Sequence, residues 1–341
     1  MPKKPKHILV IRLSAMGDVA MSVPVIRAFT KQHPEVKITV LTRVFFKPFF
    51  RGIPNVKVYP IDLKEKHKGV FGLYKLASEL KKLDIDAIAD LHNVLRTKIL
   101  KLFLFQKNFQ QINKGRAEKK NLITGENFQQ LKTTHERYVT VFNKLGFGIS
   151  LKDPNFPKAI NISPKILAIT GDKTKKWVGI APFAAYISKM YPLNRMEEVI
   201  KSLSKEHTIL LFGGGEKEVA ILDGISKKYS SVVNLAGKLS LTEELDVISN
   251  LEIMLAMDSG NAHIAAMLGI KTVTIWGVTH PFAGFAPFNQ PIDFAILANR
   301  EQYPLIPTSI YGNKYPEGYE NASNSIKPET VVLKINTLLQ K

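Results

Sequence analysis

The chain has 341 residues, a formal net charge of +19 and no cysteine, so disulfides and thiolate metal sites are excluded and a reducing, cytoplasmic compartment is favoured. Its 45% hydrophobic content is ordinary for a globular protein, and its length exceeds the size at which one core usually stops growing, which predicts two domains. The basic start MPKKPK leads into an apolar run that Arg12 interrupts. That run is too short for a signal peptide or a membrane span, so we expect neither.

In the first half of the chain, apolar runs alternate with helical stretches, which is typical of parallel sheets. The first strand, residues 7–13, leads into a tight turn at residues 14–17, and Asp18 is the first polar residue after it. A strand, tight turn and helix in this order predict a mononucleotide-type βα unit. The other predicted strands of this half are residues 36–41, 56–60 and 87–91.

A second unit with the same order lies near the end of the other half. Between the apolar strands Ile253–Met257 and Lys271–Trp276, a polar turn opens a short helix that Gly269 ends. Free N–H groups at such a helix start favour a phosphate, and His263, one turn in, is expected to lie beside it. The alternative is an ordinary βαβ unit in which Asp258 is only an N-cap. The turn residues are Asp258, Ser259, Gly260 and Asn261, and the preceding strands of this half are residues 178–181, 208–212 and 232–235.

The two units predict two domains. Asp18 and Asp258 lie 240 residues apart, which is too far for one nucleotide fold, so each unit is expected in its own doubly wound domain beside a shared cleft. A stretch rich in Pro, Asn and Lys places the boundary near residues 155–175. We therefore expect domains at residues 1–160 and 161–341, with the last helix, 329–340, as a candidate to pack back toward the first.

Charge is distributed unevenly between these halves. Residues 1–160 contain 30 Lys+Arg and 12 Asp+Glu, whereas residues 161–341 contain 18 and 17. Such a field attracts a nucleic acid, an anionic membrane surface or a polyanionic acceptor. Because the basic residues are scattered and no nucleic-acid motif occurs, we expect no nucleic-acid partner. The alternative is a solvated basic surface without a partner.

Five motifs follow one another along the chain. They are SAMGD from Ser14 with a following Pro24, FAAYISKMYP from Phe183, FGGGEKE from Phe212, LAGKLSL from Leu235 and MDSGNAHIAAMLGIKTVTIWGVT from Met257. In order and spacing they resemble glycosyltransferase family 9, the ADP-heptose:lipopolysaccharide heptosyltransferases, over essentially the whole chain. The resemblance implies an α/β fold of the GT-B class. This fold has two Rossmann-like doubly wound domains facing across a cleft, with the acceptor on the N-terminal side and the nucleotide-sugar on the C-terminal side.

The resemblance also implies a reaction: inverting, metal-independent transfer of a heptose from an ADP-sugar donor to an anionic lipopolysaccharide core acceptor. Such a transfer needs a base, a stabiliser for the leaving diphosphate and positioning contacts. By resemblance Asp18, directly after Gly17, is the catalytic base, although an acidic residue in a first helical turn also suits a plain capping role. Lys189 would neutralise the diphosphate, assisted by the Ser188 hydroxyl and the N–H groups of Ser259, Gly260 and Asn261.

The remaining donor-side residues follow from the same resemblance. Glu216 corresponds to the family carboxylate that binds the donor ribose, and Gly17 and Asp258 are grouped with the donor contacts. His263 is expected to donate to a phosphate or a sugar hydroxyl, or else to be a packed structural residue. Position 218 is Glu, so the GxGxxG pattern fails and an NAD-dependent oxidoreductase is disfavoured. The chain has no HExxH motif and no compact carboxylate cluster of the DxD kind, so no metal and no other cofactor is expected.

For the acceptor, two groups of polar residues in the first half are candidates to contact phosphates or carboxylates of a lipid A and inner-core acceptor. Aromatic residues between them, at positions 103–109, suggest contact with the inner face of the cytoplasmic membrane and peripheral association. Core packing is the alternative for that run. The two groups are Asn93 with Arg96, and Arg116 with Lys119 and Lys120.

Two departures from the family pattern leave the sugar and the acceptor open. Residues 278–281 read VTHP where the family shows GPTxP, and residues 303–307 lack the cysteines that members often have. Two other functions remain as alternatives: a nucleotide-sugar epimerase of the same fold, and a noncatalytic polyanion-binding protein. The epimerase would not need a basic acceptor surface, and the binding protein would not need Asp18 together with Lys189.

Overall fold

A computed structural model describes residues 4–340, so residues 1–3 of the basic start and residue 341 lie outside the described chain. The contacts divide the chain into two compact units. The first unit comprises the described residues up to Lys114 together with Thr133–Asn155. The second comprises Gly115–Lys132 together with Phe156 and the described residues that follow it.

The first unit is built on a five-stranded parallel sheet in the order β3-β2-β1-β4-β5. Apolar side chains bury β1 and β4 on both faces, as expected for inner strands of a parallel sheet covered by helices. The strands are β1 (His7–Ile11), β2 (Lys37–Arg43), β3 (Val56–Ile61), β4 (Ala87–Asp90) and β5 (Asn108–Gln111). The helices from this part of the chain are α1 (Met16–Gln32), α2 (Gly69–Lys81), α3 (Leu95–Phe103), α4 (Arg116–Thr124) and α5 (Thr134–Lys144), of which α4 belongs to the second unit.

The strand order fixes where a ligand can reach the first sheet. β1 pairs with β2 on one side and with β4 on the other, so the order reverses between β1 and β4. In doubly wound sheets the carboxyl ends of the strands at such a switch point form the binding crevice. Residues that follow Ile11 and Asp90 are therefore the ones the first unit can present to a ligand.

The second unit has a six-stranded parallel sheet in the order β11-β10-β9-β6-β7-β8. Its switch point lies between β6 and β9, which pair with each other in the middle of the sheet. The strands are β6 (Trp177–Ala181), β7 (Thr208–Leu211), β8 (Val232–Asn234), β9 (Ile253–Met257), β10 (Lys271–Trp276) and β11 (Ala295–Leu297). The helices are α6 (Pro164–Thr170), α7 (Leu193–Leu203), α8 (Glu216–Ser226), α9 (Leu241–Ile248), α10 (Gly260–Met267) and α11 (Pro328–Gln340).

Two segments pack in ways that the sequence did not indicate. The segment 115–132, expected in the first domain, packs in the second unit, where Leu122 and Leu131 contact Ala283. The candidate helix at 329–340 is α11, and it buries Val331 and Ile335 in the core of the second unit, against α7 and β9. Apolar contacts between residues far apart in sequence decide both placements, and these contacts leave no local pattern. Among residues 4–340, no helix combines the length and the apolar character needed to cross a bilayer.

Candidate functional site

At the switch point of the first unit, Arg12 holds the carboxylate of Asp18. Arg12 follows β1 and is 6% exposed, and its Nη2 lies 2.6 Å from Asp18 Oδ2. Its Nη1 donates to the Leu91 carbonyl at 2.7 Å. The Ala15 N–H also donates to Asp18 Oδ2, at 3.3 Å. Among the described residues these contacts are all made by Oδ2 of the carboxylate, whose side chain is 28% exposed, and Oδ1 takes no part in them.

The backbone around Asp18 is held as well. Asp18 lies in the first turn of α1, and the buried Tyr138 of α5 donates its hydroxyl to the Asp18 main-chain carbonyl at 3.2 Å. Burial works against the charge of Arg12, but Tyr138 and Asp18 raise the pKa of its guanidinium overall. Asp18 therefore sits next to a permanent cation in a fixed backbone. Gly17, grouped with the donor residues by resemblance, precedes it in the same turn of this first unit.

The neighbouring turn after β4 is organised by a buried carboxylate. Asp90 Oδ1 accepts the N–H groups of His92 and Asn93 at 2.9 and 3.0 Å, and its Oδ2 accepts Gln111 Nε2 at 2.8 Å. Asn93 has a positive φ of 46°, and its Nδ2 donates to the Ile112 carbonyl. Burial, followed by the positive charge of Arg12, lowers the pKa of His92 to about 4. The turn thus presents a neutral imidazole next to the Arg12–Asp18 pair.

In the second unit the switch point brings Lys189 and Asp258 together. Lys189 Nζ lies 2.8 Å from Asp258 Oδ2, and the Thr279 hydroxyl donates to the same oxygen at 2.9 Å. The side chains of Lys189 and Asp258 are 13% and 9% exposed. An ammonium group has three N–H donors, so the pair with Asp258 leaves two for an anion. Asp258, predicted as a donor contact, thus orients Lys189 in this structure.

Close backbone approaches position Lys189 and its neighbour Ser188. The Ser188 hydroxyl, expected to donate to a diphosphate, donates to the Gly312 carbonyl, and the Ser188 carbonyl accepts the Val278 N–H at 3.2 Å. A Cβ at Gly277 would lie 2.2 Å from the Ser188 carbonyl oxygen. At Gly312, whose φ is +80°, it would lie 2.5 Å from Lys189 Cγ. Glycine at these two positions lets the backbone close over the Ser188–Lys189 turn.

The helix α10 begins directly after Asp258. Ser259 is its N-cap with an extended backbone, and its side chain makes no capping hydrogen bond. Its Oγ is buried and has no hydrogen-bond partner among the described residues. The first N–H groups of a helix have no intrahelical acceptor, so Gly260 and Asn261 present donors next to Lys189. His263, in the same helix, is 7% exposed. Cation and helix start together offer the N–H donors that an anion site needs.

Two glutamates, Glu216 and Glu218, follow the glycine-rich turn after β7, and their carboxylates have different surroundings. Glu218 Oε2 accepts the Gly214 N–H at 2.8 Å and so stabilises the turn itself. Glu216 is exposed at the first position of α8, after Gly215 with its φ of +81°. The turn therefore presents the Glu216 carboxylate to solvent and uses that of Glu218 internally.

The residues predicted to contact the acceptor are divided between the units. Arg96 is exposed in the first turn of α3, within the first unit. Arg116, Lys119 and Lys120 lie on α4 in the second unit. Arg116 and Lys120 are exposed, but Lys119 is 8% exposed and its Nζ lies 4.1 Å from the centre of the Phe285 ring. Lys119, predicted as an acceptor contact, therefore packs on an aromatic face.

The charge imbalance persists between the two units, although it is smaller than across the predicted boundary. Residues 1–114 and 133–155 carry 25 Lys+Arg and 10 Asp+Glu, a net charge of +15. The first unit thus contributes most of the formal +19 of the chain. Across residues 4–340 no group of three or more His, Asp or Glu side chains could hold a metal ion.

The sequence alone did not point to several residues that organise these sites. Arg12 was visible only as a charge that ends an apolar strand, and that position was its one signal. Gly312 carried none, because its partner Ser188 lies 124 positions away in the chain.

Each unit is Rossmann-like, with a parallel sheet and an ion pair at its switch point, and the chain has a fold of the GT-B class. The family profile described as glycosyltransferase family 9 (heptosyltransferase) matches residues 73–306. The chain belongs to this family. Both the predicted family and the predicted fold class are thereby confirmed, and the protein is an enzyme rather than a noncatalytic binding protein.

Individual relatives agree with this assignment. The lipopolysaccharide core heptosyltransferase OpsX of Haemophilus influenzae is 25% identical over 292 residues, which cover 84% of this chain and 82% of that protein. The crystal structure of a family 9 glycosyl transferase from Veillonella parvula is similar with a TM-score of 0.77 at 19% identity, covering 100% and 99% of the two chains. The E. coli heptosyltransferase WaaC with ADP-2-deoxy-2-fluoro heptose has a TM-score of 0.69 at 17% identity and covers 97% and 99%.

Proposed function

We propose that this protein transfers a heptose from an ADP-sugar to an inner-core sugar of lipopolysaccharide, with inversion and without a metal ion. Family membership supports the reaction class, and the name of OpsX and the ligand of WaaC support this acceptor and donor. The observation that carries the proposal is that each unit has an ion pair at its switch point. These pairs are Arg12–Asp18 in the first unit and Lys189–Asp258 in the second.

In the proposed step Asp18 accepts the proton of the attacking acceptor hydroxyl. As that proton leaves, the hydroxyl oxygen bonds to the anomeric carbon of the sugar, and the bond from this carbon to the diphosphate breaks. A single displacement of this kind inverts the configuration. Arg12 holds the carboxylate in one orientation through Oδ2, so the other oxygen can act as the base. Gly17, which has no side chain, lets the donor sugar approach the backbone beside Asp18.

The leaving ADP gains negative charge as that bond breaks. Lys189 and the N–H groups of Ser259, Gly260 and Asn261 stabilise this charge, and because they are already oriented they need little reorganisation. Asp258 and the Ser188 contact to Gly312 keep the cation in place. A fixed cation and aligned amides perform what a divalent ion does in other transferases, which supports metal-independent transfer.

The other donor contacts are assigned by chemistry. The exposed carboxylate of Glu216 accepts the hydroxyls of the donor ribose, as a carboxylate does in other nucleotide sites. His263, in the helix that begins at the anion site, donates to a phosphate or a sugar hydroxyl. A rotation of the Ser188 hydroxyl away from Gly312 would add one more donor to the diphosphate.

For the acceptor, exposed cations suit the phosphates and carboxylates of an inner core. Arg96, Arg116 and Lys120 are exposed and supply these contacts, while Asn93 shapes the turn next to Asp18. Lys119 contributes through the packing of α4 on Phe285. Together with the +15 charge of the first unit, these residues support a cytoplasmic enzyme held peripherally at the inner face of the membrane.

A direct test combines the purified protein with ADP-heptose and a core-truncated lipopolysaccharide in the presence of EDTA. We expect one heptose to be added to the acceptor, seen as a mass increase, and NMR of the product to show an inverted anomeric centre. Isomerised ADP-sugar without transfer would identify an epimerase and overturn the proposal. Activity that EDTA abolishes would overturn metal independence.

A further inference from the structure

Two neighbouring helices of the first unit expose large apolar side chains. On α2 the inner side chains Leu73, Leu76 and Leu80 are buried in the core. The opposite side of the same helix leaves Phe71 92% and Tyr74 60% exposed. On and after α3, Leu102 and Phe105 are 72% and 74% exposed. Large apolar groups on both sides of a helix indicate that its outer side has a partner.

These exposed side chains form one surface. α2 and α3 pack against each other, and the rings of Tyr74 and Phe103 lie 5.5 Å apart in an edge-to-face contact. Phe71 lies one helical turn before Tyr74, and Leu102 and Phe105 flank Phe103. We call this surface the docking face. It comprises the outward side chains of Val70, Phe71, Tyr74, Leu102 and Phe105 and the lysines between them.

The charges on the docking face have one sign. Lys75 follows Tyr74, and Lys101 precedes Leu102, and both are exposed, as are Lys68 and Lys98. The single acidic residue of α2 and α3 is Glu79. Its carboxylate is already bound, because Lys66 lies 2.8 Å away and the Tyr59 hydroxyl donates to it. Lysines thus surround exposed rings with no free carboxylate between them.

We propose that the docking face binds the surface of an anionic lipid bilayer, with the rings inserted at headgroup level and the lysines on lipid phosphates. An interfacial site needs an apolar side that enters the acyl boundary and cations that reach the headgroups, and the docking face has both. Long lysine side chains also allow their charges to stay in the headgroup layer while the rings enter. The inference rests on the proposed function and deepens it, since the proposed acceptor is lipid-anchored.

Charge complementarity favours a bilayer over a second copy of the chain. In a symmetric dimer through this face, lysines would meet lysines, and like charges across an interface oppose association. A polyanion in water would satisfy the lysines but leave Phe71 and Phe105 in contact with solvent. An anionic bilayer offers phosphates and hydrocarbon together.

The same face has a consequence for the acceptor. Arg96 lies in the first turn of α3, on the helix that also carries Lys98 and Lys101. If α3 rests on the lipid surface, Arg96 is presented to headgroups in that layer. The docking face would thus raise the local concentration of a lipid-anchored acceptor without touching the sugar that reacts.

Vesicle binding by the full chain tests the proposal. Sedimentation with vesicles of phosphatidylethanolamine and phosphatidylglycerol is compared with neutral phosphatidylcholine vesicles. We expect the protein to bind to the anionic vesicles. In the double variant Phe71→Ser with Phe105→Ser this binding should be at least about tenfold weaker, because the apolar contribution of both rings is lost. Lys75→Glu with Lys101→Glu should weaken it by about 25-fold or more, at about fivefold for each charge removed. The control Ile292→Ser with Leu333→Ser, at exposed apolar positions of the second unit, should bind like the wild type.

Several outcomes would overturn the proposal. These are no binding to anionic vesicles, equal binding to neutral ones, or equal loss in the control variant. A dimer in sedimentation velocity that the two serine changes convert to a monomer would assign the face to a second copy instead.

Insertion itself has a separate readout. Phe71→Trp places an indole on the docking face, whereas the native Trp177 and Trp276 are 0% and 1% exposed in the second unit. Lipids with brominated acyl chains should quench the fluorescence that the introduced indole adds and leave the native background unchanged. An introduced indole that stays unquenched on bound protein would contradict insertion.

The test also separates this proposal from the proposed function. Transfer to a soluble core oligosaccharide without lipid A should be unchanged in Phe71→Ser with Phe105→Ser, while transfer to an acceptor in vesicles falls. Vesicle binding without transfer to either acceptor would reject the function and keep the docking face. Equal losses on both acceptors would reject the docking face and keep the function.

Discussion

The two units use their ion pairs in opposite ways. Each places a charged pair where the strand order reverses, Arg12–Asp18 in the first and Lys189–Asp258 in the second. In the first pair the cation is the buried member, at 7% exposure, and the carboxylate is the accessible one, at 28%. In the second, the carboxylate oxygen is shared by Lys189 and Thr279, and the cation keeps donors to spare.

This difference decides what each unit can bind. A carboxylate held by a buried guanidinium acts as a proton acceptor, and an ammonium held by a buried carboxylate at a helix start acts as an anion site. In the proposed reaction the same α/β scaffold thus provides a base in one unit and a diphosphate site in the other. The reversal of charge roles, rather than the fold, distinguishes the two sites.

The strongest test of the comparison removes the base. Asp18→Asn keeps the size of the side chain but cannot accept the hydroxyl proton, so we expect kcat to fall by about 10³-fold. ADP affinity, measured by calorimetry, should stay within about twofold, because the proposed diphosphate site lies in the other unit. The matched control Asp153→Asn removes an exposed carboxylate from the first unit and should keep full activity. Turnover of Asp18→Asn at the wild-type rate would reject the assignment.

Removing the cation of the second pair should have the next largest effect. Lys189→Met keeps much of the apolar stem but loses the charge, so we expect kcat/KM to fall by about 10²-fold. Unlike Asp18→Asn, it should also weaken ADP binding, by about tenfold or more. Lys334→Met, which removes the ion pair between Lys334 of α11 and Asp293, is the control and should leave both values unchanged. Unaltered ADP affinity in Lys189→Met would remove Lys189 from the diphosphate site.

The position of Lys189 can be disturbed without touching its charge. In Gly312→Ala the new Cβ would clash with Lys189 Cγ and Cδ and displace the lysine side chain. We therefore expect ADP binding to weaken several-fold to about tenfold. Gly318→Ala is the control, because its φ of +83° is similar and no atom lies within 4 Å of the added carbon. Both variants should lose about 1 kcal/mol of stability from backbone strain. Equal ADP affinities in the two would show that the Gly312 contact is unimportant.

The smallest predicted effect concerns pH. His92 has a pKa of about 4 in the folded chain, against an ordinary value near 6.5, because burial and then Arg12 oppose its charged form. Its contribution to stability is complete above about pH 6.5 and is lost as the pH falls toward 4, since the unfolded chain binds the proton first. We expect His92→Gln to reduce the loss of unfolding free energy between pH 7 and pH 4 by about 1 kcal/mol, after a discount for partial exposure.

His280 provides the counterpart in the second unit. Burial, and then Arg300, lower its pKa to about 4 as well. Urea unfolding of His280→Gln should therefore show a similar reduction of the pH dependence. A pH dependence of His92→Gln that matches the wild type would contradict the buried, neutral imidazole.

Much of the fold could be predicted from the sequence because its signals are local. The strands Ile253–Met257 and Lys271–Trp276 have the predicted bounds, since continuous apolar runs end at polar turns. β5 and β11 were missed. β5 has the sequence NFQQ and β11 has three residues, so neither shows a clear apolar run.

The candidate sites could be predicted only in part. The turns that carry Asp18 and Asp258 follow strong strands, and the family motifs name them. The partners could not be predicted, because Arg12 meets Leu91 and Lys189 meets Asp258 through folding of distant segments. The burial of Lys119 has the same origin, since the Phe285 ring that covers it lies far along the chain.

The central claim is that the diphosphate binds to the second unit and the base belongs to the first. Hydrogen exchange with and without ADP measures this directly, because bound phosphate protects the amides that it contacts. We expect protection at residues 259–261, and none at residues 12–18. Protection at residues 12–18 with none at residues 259–261 would contradict the claim.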